Sequence, residues 1–406
     1  MREAFKATKI NDHVYWVGAI DWEIRDFHGY DVPRGSTYNA YLILDDKITL
    51  IDTAKSHFRD EVLGRIASVI DPEDISYVIS DHSEMDHTGC LSEVVKAVKP
   101  ERVFASRVGV KTLAAQFHMD YEIEPLKEGD TLSLGNLNLS FMETKMLHWP
   151  DSMMTYLNED KLLFSQDAFG MHLASGERFA DEIDDDILEY EGKKYYANII
   201  LPYSSIVLKL LDKLKEMELE IGVIAPDHGP IWRQDITRMP EFYAKWAAQK
   251  PTRKAVIVYE TMWESTTLMA HSIGEGLTAG GIDIKLMPLK GSQRSEVVTE
   301  VLSAGALLVG SSTLNNNMLP PVADVLTYLK GLKPINLIGA AFGSYGWTGE
   351  AVGQINDILS AMKVELIGDG IKARYVPEDD VLKQCYELGS QIAAELNKRC
   401  DDEEKV

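Results

Sequence analysis

Cysteine is scarce in this chain: Cys90, Cys385 and Cys400 are the only three in 406 residues, far apart and odd in number. No Cys-x-x-Cys pair is present to clip zinc, a rubredoxin-type iron or an iron-sulfur cluster, and no even set implies a disulfide framework. That usage fits a reducing cytoplasm. Long apolar runs are missing too. No stretch approaches the ~18 consecutive apolar residues of a membrane span, and the start, Met1 to Lys6, has no apolar core of an export signal. Neither export nor membrane insertion is expected. Basic residues are the third shortage, 41 Lys and Arg against 64 Asp and Glu, for a net charge of -23. Such a field repels a phosphate backbone, so nucleic acid is not an expected partner. The acidic tail Asp401-Asp402-Glu403-Glu404 reads as a frayed end.

What remains, 45% hydrophobic and 26% charged, is ordinary globular material long enough for two domains. Tyr41-Leu42-Ile43-Leu44 and Ile48-Thr49-Leu50-Ile51 flank Asp45-Asp46-Lys47 in a hairpin pattern. Val62, Leu63, Ile66, Val69 and Ile70 recur at helical spacing, predicting a helix from Phe58 to Ile70 that Asp71-Pro72 stops. A strand over Ile75 to Ser80 then runs directly into Asp81-His82, and a helix follows from about Thr88-Gly89.

The run His82-Ser83-Glu84-Met85-Asp86-His87 packs four potential metal ligands into six residues. Three more come singly, His148, Asp167 and His228, each after a predicted strand. Carboxylates and imidazoles this close repel or titrate one another unless a cation neutralises them. A solvated charge cluster is the bland alternative, but apolar strands lead into each segment. Any one histidine alone is more often structural, and His13, His57, His118, His172 and His271 are read that way. Jointly, four histidines and three carboxylates suit two ions, with Asp167 the candidate bridge. Each carboxylate moves the preference toward harder ions such as iron or manganese, whereas a dizinc hydrolase of similar layout usually has histidine where Glu84 stands.

The His-x-Glu-x-Asp-His motif followed by separate His, Asp and His resembles the metallo-β-lactamase fold in its flavodiiron variant, and the resemblance extends over the whole chain. It implies a fold class of α/β: an N-terminal metallo-β-lactamase-like αββα sandwich followed by a C-terminal flavodoxin-like doubly wound parallel sheet. It also implies one iron on His82, Glu84 and His148, and another on Asp86, His87 and His228, with Asp167 bridging. His87 is the least firm ligand of the set, since the family varies there. His28, Tyr195 and Tyr196 are possible pocket residues, and core packing is equally open for both tyrosines.

A polar break at Gln249-Lys250-Pro251-Thr252-Arg253-Lys254 separates the halves, giving domains 1–250 and 251–406. Beyond it, continuous apolar strands (255–259, 282–287, 306–310, 336–342) alternate with amphipathic helices, the pattern of a parallel sheet covered on both faces. After the first strand, Thr261, Met262, Trp263, Glu264, Ser265 and Thr266 precede a helix, where hydroxyls and backbone amides suit a phosphate. Simple N-capping by Ser265 or Thr266 is the plainer explanation of that loop alone. No Gly-x-Gly-x-x-Gly is present, so a mononucleotide fits better than a dinucleotide.

Two further loops after strands tilt the balance, Ser311-Ser312-Thr313-Leu314-Asn315-Asn316-Asn317 and Gly343-Ser344-Tyr345-Gly346-Trp347-Thr348-Gly349, with Ser312 to Asn316 and Gly343 to Trp347 the candidate cofactor contacts. The three loops resemble flavodoxin's FMN-binding loops, although relatives often carry proline at the position of Ser312. Trp263, Tyr345 and Trp347 are placed to flank a flat ring, and Gly343, Gly346 and Gly349 to let backbone approach it.

Taken together, the resemblance implies FMN and two irons (a diiron centre) acting as an oxygen and/or nitric oxide reductase. Electrons then come from an external donor such as rubredoxin, or reduced coenzyme F420 in methanogen relatives. A head-to-tail homodimer, or a dimer of such dimers, is the implied assembly. A dizinc hydrolase with a regulatory flavodoxin-like domain is the alternative, and a plain electron carrier with a closed metal site the third reading.

Overall fold

A computed structural model describes residues 4–118, 121–403 and 405; Met1, Arg2, Glu3 and Glu404 lie outside the described residues. The chain divides into two compact units. One comprises Met1–His28, Val32–Tyr195 and Ser205–Ala244, the other Gly29–Asp31, Tyr196–Ser204 and Lys245–Val406.

Alternation along strands explains the layers of the first unit. Strands Tyr41–Ile43, Thr49–Ile51, Tyr77–Ser80 and Arg102–Ser106 lie side by side at the centre of a mixed sheet. Leu42, Leu50, Val78 and Val103 point to one face, where they pack with Val62, Ile66, Leu91, Val94 and Leu113 from helices Arg59–Ala67, Leu91–Val98 and Arg107–Phe117. Their neighbours Ile43, Ile51, Ile79 and Phe104 point the other way. There they meet Leu139, Phe141, Met153, Phe164 and Ala225 of a second sheet built from Thr131–Ser133, Asn138–Glu143, Met153–Leu157, Leu162–Gln166 and Val223–Pro226. Ile224 faces outward, flooring an apolar pocket walled by Leu211, Leu214 and Ala244 of helices Ser204–Glu216 and Arg238–Ala248. Helix, sheet, sheet and helix stack as an αββα sandwich.

The segment between the strand ending at Ser80 and the helix starting at Leu91 is itself ordered. Met85–Thr88 forms a single helical turn, with the amides of His87 and Thr88 bonded to the Glu84 carbonyl at 3.0 Å. Asp86 and His87 therefore sit on a fixed turn.

The second unit is a parallel sheet ordered Asp283–Pro288, Lys254–Glu260, Ala306–Ser311 and Ile338–Tyr345, the last also pairing with Glu365–Leu366 and Ile371–Arg374. On one face helices Ser265–Ala279 and Asp379–Glu403 supply Met269, Ile273, Leu277, Leu388 and Ile392 to its core. These helices approach so closely that a Cβ on Gly276 would meet the Tyr386 carbonyl at 2.1 Å. The expected frayed tail is a correction: the final helix runs through Asp401, Asp402 and Glu403. Its apolar stripe continues to Cys400, and Arg253 pairs with Asp401.

Candidate metal centre and a second pocket

All seven candidate ligands converge beyond the strand ends of the sandwich. Asp167 is the hub. Its Oδ2 lies 2.9 Å from His148 Nε2 and 3.3 Å from His82 Nε2, while its Oδ1 lies 3.2 Å from His87 Nε2 and 3.4 Å from His228 Nε2. Glu84 Oε2 closes the first group at 3.3 Å from both His82 and His148. Asp86 closes the second, with Oδ1 3.4 Å from His87 and Oδ2 3.2 Å from His228. Two triads of donors result, each facing one oxygen of the same carboxylate.

The donor set fits two cations. Both Asp86 oxygens, Asp167 Oδ1 and His87 Nε2 are buried without a hydrogen-bond partner, a cost that a positive ion between them removes. Burial would lower the His87 imidazole, yet Asp86 and Asp167 hold it up at about 10. Burial would likewise raise the Asp167 carboxyl, but His87, His148 and His82 keep it well below the usual range. Imidazoles and carboxylates, with no thiolate, suit iron.

Several residues outside the motif set the geometry. His228 Nδ1–H donates to the Thr37 carbonyl at 2.6 Å, which leaves Nε2 as the nitrogen facing Asp86 and Asp167. The loop carrying His228 is pinned by Asn39, whose amide Nδ2 donates to the carbonyls of Pro226 at 2.7 Å and Gly229 at 3.0 Å. Gln166 ties two segments together: Nε2 donates to the Leu147 carbonyl at 2.6 Å and Oε1 accepts from Asp167 N at 2.7 Å. His172, set aside as structural in the sequence, packs its ring 4.6 Å from that of His228 and bonds Ser36 Oγ at 2.8 Å. Tyr195 is buried 6.0 Å from the His228 ring, whereas Tyr196 bonds Ser204 at 3.0 Å and packs at a tilt against Trp246.

A cavity of about 670 Å³ opens onto Glu84 and Asp86 past Phe27, His28, Lys55 and Trp149. The Lys55 ammonium lies 4.6 Å above the Tyr38 ring and 5.3 Å above that of Phe27, and burial pulls it below lysine's usual range. His28 Nε2 stands 3.8 Å from Glu84 Oε1.

The second unit holds a pocket of about 450 Å³ at the carboxyl ends of its strands. Met262, Trp263, Ser265, Ser312, Thr313, Leu314, Asn315, Asn316, Ser344, Tyr345, Gly346 and Trp347 line it, with Thr348 of the same loop, joined by Tyr375 and Val376, which the sequence did not single out. Thr261, Glu264, Thr266 and Gly343 are not in its wall. Thr266 stands behind it, its hydroxyl 3.0 Å from Ser312 Oγ and 3.1 Å from Ser344 Oγ. Gly343 answers a different need from flavin approach, since a Cβ there would meet the Ser311 carbonyl at 1.9 Å. Gly346 does line the pocket; at φ +86°, Gly349 turns where a Cβ would touch the Tyr345 ring.

Residues 37–229 match the ODP family beta lactamase and residues 257–389 match flavodoxin. The chain is 45% identical over 391 residues to the nitric oxide reductase of Moorella thermoacetica, covering 95% of this chain and 98% of the relative. Among solved structures, the flavodiiron protein of Giardia intestinalis superposes with a TM-score of 0.95 at 32% identity, covering 99% of each chain. The chain belongs to the flavodiiron protein family. Rubredoxin oxygen:oxidoreductase from Desulfovibrio gigas, at TM-score 0.96 and 43% identity, covers 97% of this flavodiiron protein and is itself covered fully. Similarity through both halves sets aside the dizinc hydrolase with a merely regulatory second domain. The fold is a metallo-β-lactamase-like sandwich followed by a flavodoxin-like sheet, and the cofactors are FMN and a non-haem diiron centre.

Proposed function

We propose that this flavodiiron protein takes electrons from a rubredoxin-like donor and reduces dioxygen to water, nitric oxide to nitrous oxide, or both. The observation that carries it is the shared carboxylate: Asp167 faces His82 and His148 with one oxygen, His87 and His228 with the other. The assignment is His82, Glu84 and His148 for one iron, and Asp86, His87 and His228 for the other. Three protein donors plus one oxygen of the shared Asp167 carboxylate would hold each iron and would leave positions open for a gas. When bound, FMN accepts electrons from the donor and the paired irons pass them to the gas.

The chain's own residues set the conditions for that chemistry. Phe27 and Trp149 line the cavity beside Glu84 and Asp86 and bring apolar surface to it. Lys55 brings a positive charge to the same cavity. In the domain 251–406, Ser265 stands in the pocket wall at a helix N-terminus suited to the FMN phosphate, with Thr266 behind it, and Trp263, Tyr345 and Trp347 suit its ring. Residues 1–250 hold the irons. A head-to-tail homodimer, bringing the FMN of one copy to the irons of another, and a cytoplasmic location complete the reading. The three cysteines are free and buried, which suits a reducing compartment. Among the described residues no helix is long and apolar enough to cross a membrane.

The test is gas consumption by iron-loaded, FMN-bound protein supplied with reduced rubredoxin. Uptake of dioxygen or nitric oxide is expected. Absence of both activities overturns the reading.

A further inference from the structure

We propose that Asp151 and Asp227 are positioning residues, one behind each iron, holding the rear ring nitrogens of His82 and His87. The inference rests on the ligand set proposed above. His82 and His87 turn Nε2 toward Asp167, at 3.3 and 3.2 Å, so Nδ1 of each ring points away from the ions. Both Nδ1 atoms are buried and lack a hydrogen-bond partner. A neutral imidazole that gives Nε2 to a cation carries its proton on Nδ1, and a buried N–H needs an acceptor.

One carboxylate faces each. Asp151 Oδ2 is 3.5 Å from His82 Nδ1, and Asp227 Oδ2 is 3.7 Å from His87 Nδ1. These are ion-pair separations, just beyond ordinary hydrogen-bond length. The acceptors are fixed in place. Asp151 Oδ2 accepts from Ser83 N at 2.7 Å, and its carbonyl accepts from Ser106 Oγ at 2.7 Å. Asp227 is held by its backbone, with N donating to the Gln166 carbonyl at 2.9 Å and O accepting from Asn39 N at 2.7 Å. His228 needs no such carboxylate because its Nδ1–H already has Thr37.

A hydrogen-bond acceptor behind the ring fixes the tautomer and makes Nε2 a stronger donor, which favours the more oxidised ion and lowers its potential. The pairing divides by ion: Asp151 serves the His82, Glu84 and His148 site, Asp227 the Asp86, His87 and His228 site. Asp227 also groups with His87 and Asp167 closely enough to be a direct ligand instead, and the two roles predict different results.

Full-length protein loaded with cobalt(II) separates them by proton NMR and metal titration. Slowly exchanging, paramagnetically shifted ring N–H signals are expected from His82 and His87 in the unmodified protein. Asp151→Asn should move one of them and weaken one of two cobalt sites by roughly 10–100-fold, and Asp227→Asn should do the same to the other. With iron bound, each variant should raise the potential of one iron only. Asparagine keeps an oxygen for Ser83 N, and the unmodified protein's own N–H signals decide the matter if a variant fails to fold. Unchanged signals and affinities in both variants, equal disturbance of both ions by either one, or outright loss of an ion in Asp227→Asn overturns the proposal. Failure of the unmodified protein to take up two ions overturns the ligand set, and this inference with it.

Discussion

His148 Nε2 lies 2.9 Å from Asp167 Oδ2, although 19 residues separate them in sequence. The contact exists because Gln166 clamps the two segments, bonding the Leu147 carbonyl and Asp167 N at once. Since the other Asp167 oxygen faces His87 and His228, this carboxylate is the joint between the two sites. Asp167→Ala should therefore weaken both ions together, by at least about tenfold each. Metal analysis after equilibrium dialysis checks it; loss confined to one ion would show that Asp167 does not bridge.

Glu84 sets metal preference. Its Oε2 sits 3.3 Å from His82 and His148, contributing a hard oxygen to the first site. Glu84→His should shift competitive loading from iron toward zinc and abolish gas reduction. Retention of iron with full activity would show that the Glu84 carboxylate does not decide the metal.

The seven converging residues were legible because each follows an apolar strand, and strand ends of layered sheets gather in one place. Their supports were not. Gln166 and His172 act through positive-φ backbone and ring packing that no spacing rule encodes. Tyr375 reaches the second pocket from the short strand Ile371–Arg374, paired to Ile338–Tyr345 by register alone. At the acidic end charge alone suggests fraying, while Cys385, Leu388, Ile392, Leu396 and Cys400 keep the helical stripe going.

Trp263 and Trp347 are 88% and 81% exposed at the mouth of the second pocket, a large apolar surface with no packing role of its own. Trp347→Ala should weaken FMN binding by about tenfold, equivalent to about 1.4 kcal/mol, with little change in the stability of the flavin-free protein. Fluorescence titration with FMN measures it. An unchanged Kd removes Trp347 from the flavin site.

The hydroxyls of Thr266, Ser312 and Ser344 lie 3.0 to 3.2 Å apart, one from each loop around that pocket. Thr266→Val leaves two of them short of a partner and should destabilise the protein by roughly 1–2 kcal/mol. Chemical denaturation followed by flavin-domain fluorescence reads the change, and wild-type stability would mean the knot holds nothing.

Cys385 is buried, which pushes its thiol up to about 12. An ordinary thiol titrates near ~8.5, so the folded protein carries roughly a thousandfold less thiolate at this position in that range. Alkylation by iodoacetamide should consequently stay slow from pH 7 to 9 and become fast only after unfolding in urea. Rapid native-state labelling of Cys385 contradicts the packing described.

The central claim, that the irons and not the flavin alone reduce the gas, is tested most directly by stopped-flow oxidation of fully reduced protein. Iron-loaded and iron-free samples, both carrying FMN, are mixed anaerobically with nitric oxide and separately with dioxygen, and flavin absorbance is followed. The account predicts flavin reoxidation many-fold faster in the iron-loaded sample with at least one gas. Equal rates in the two samples with both gases would contradict it.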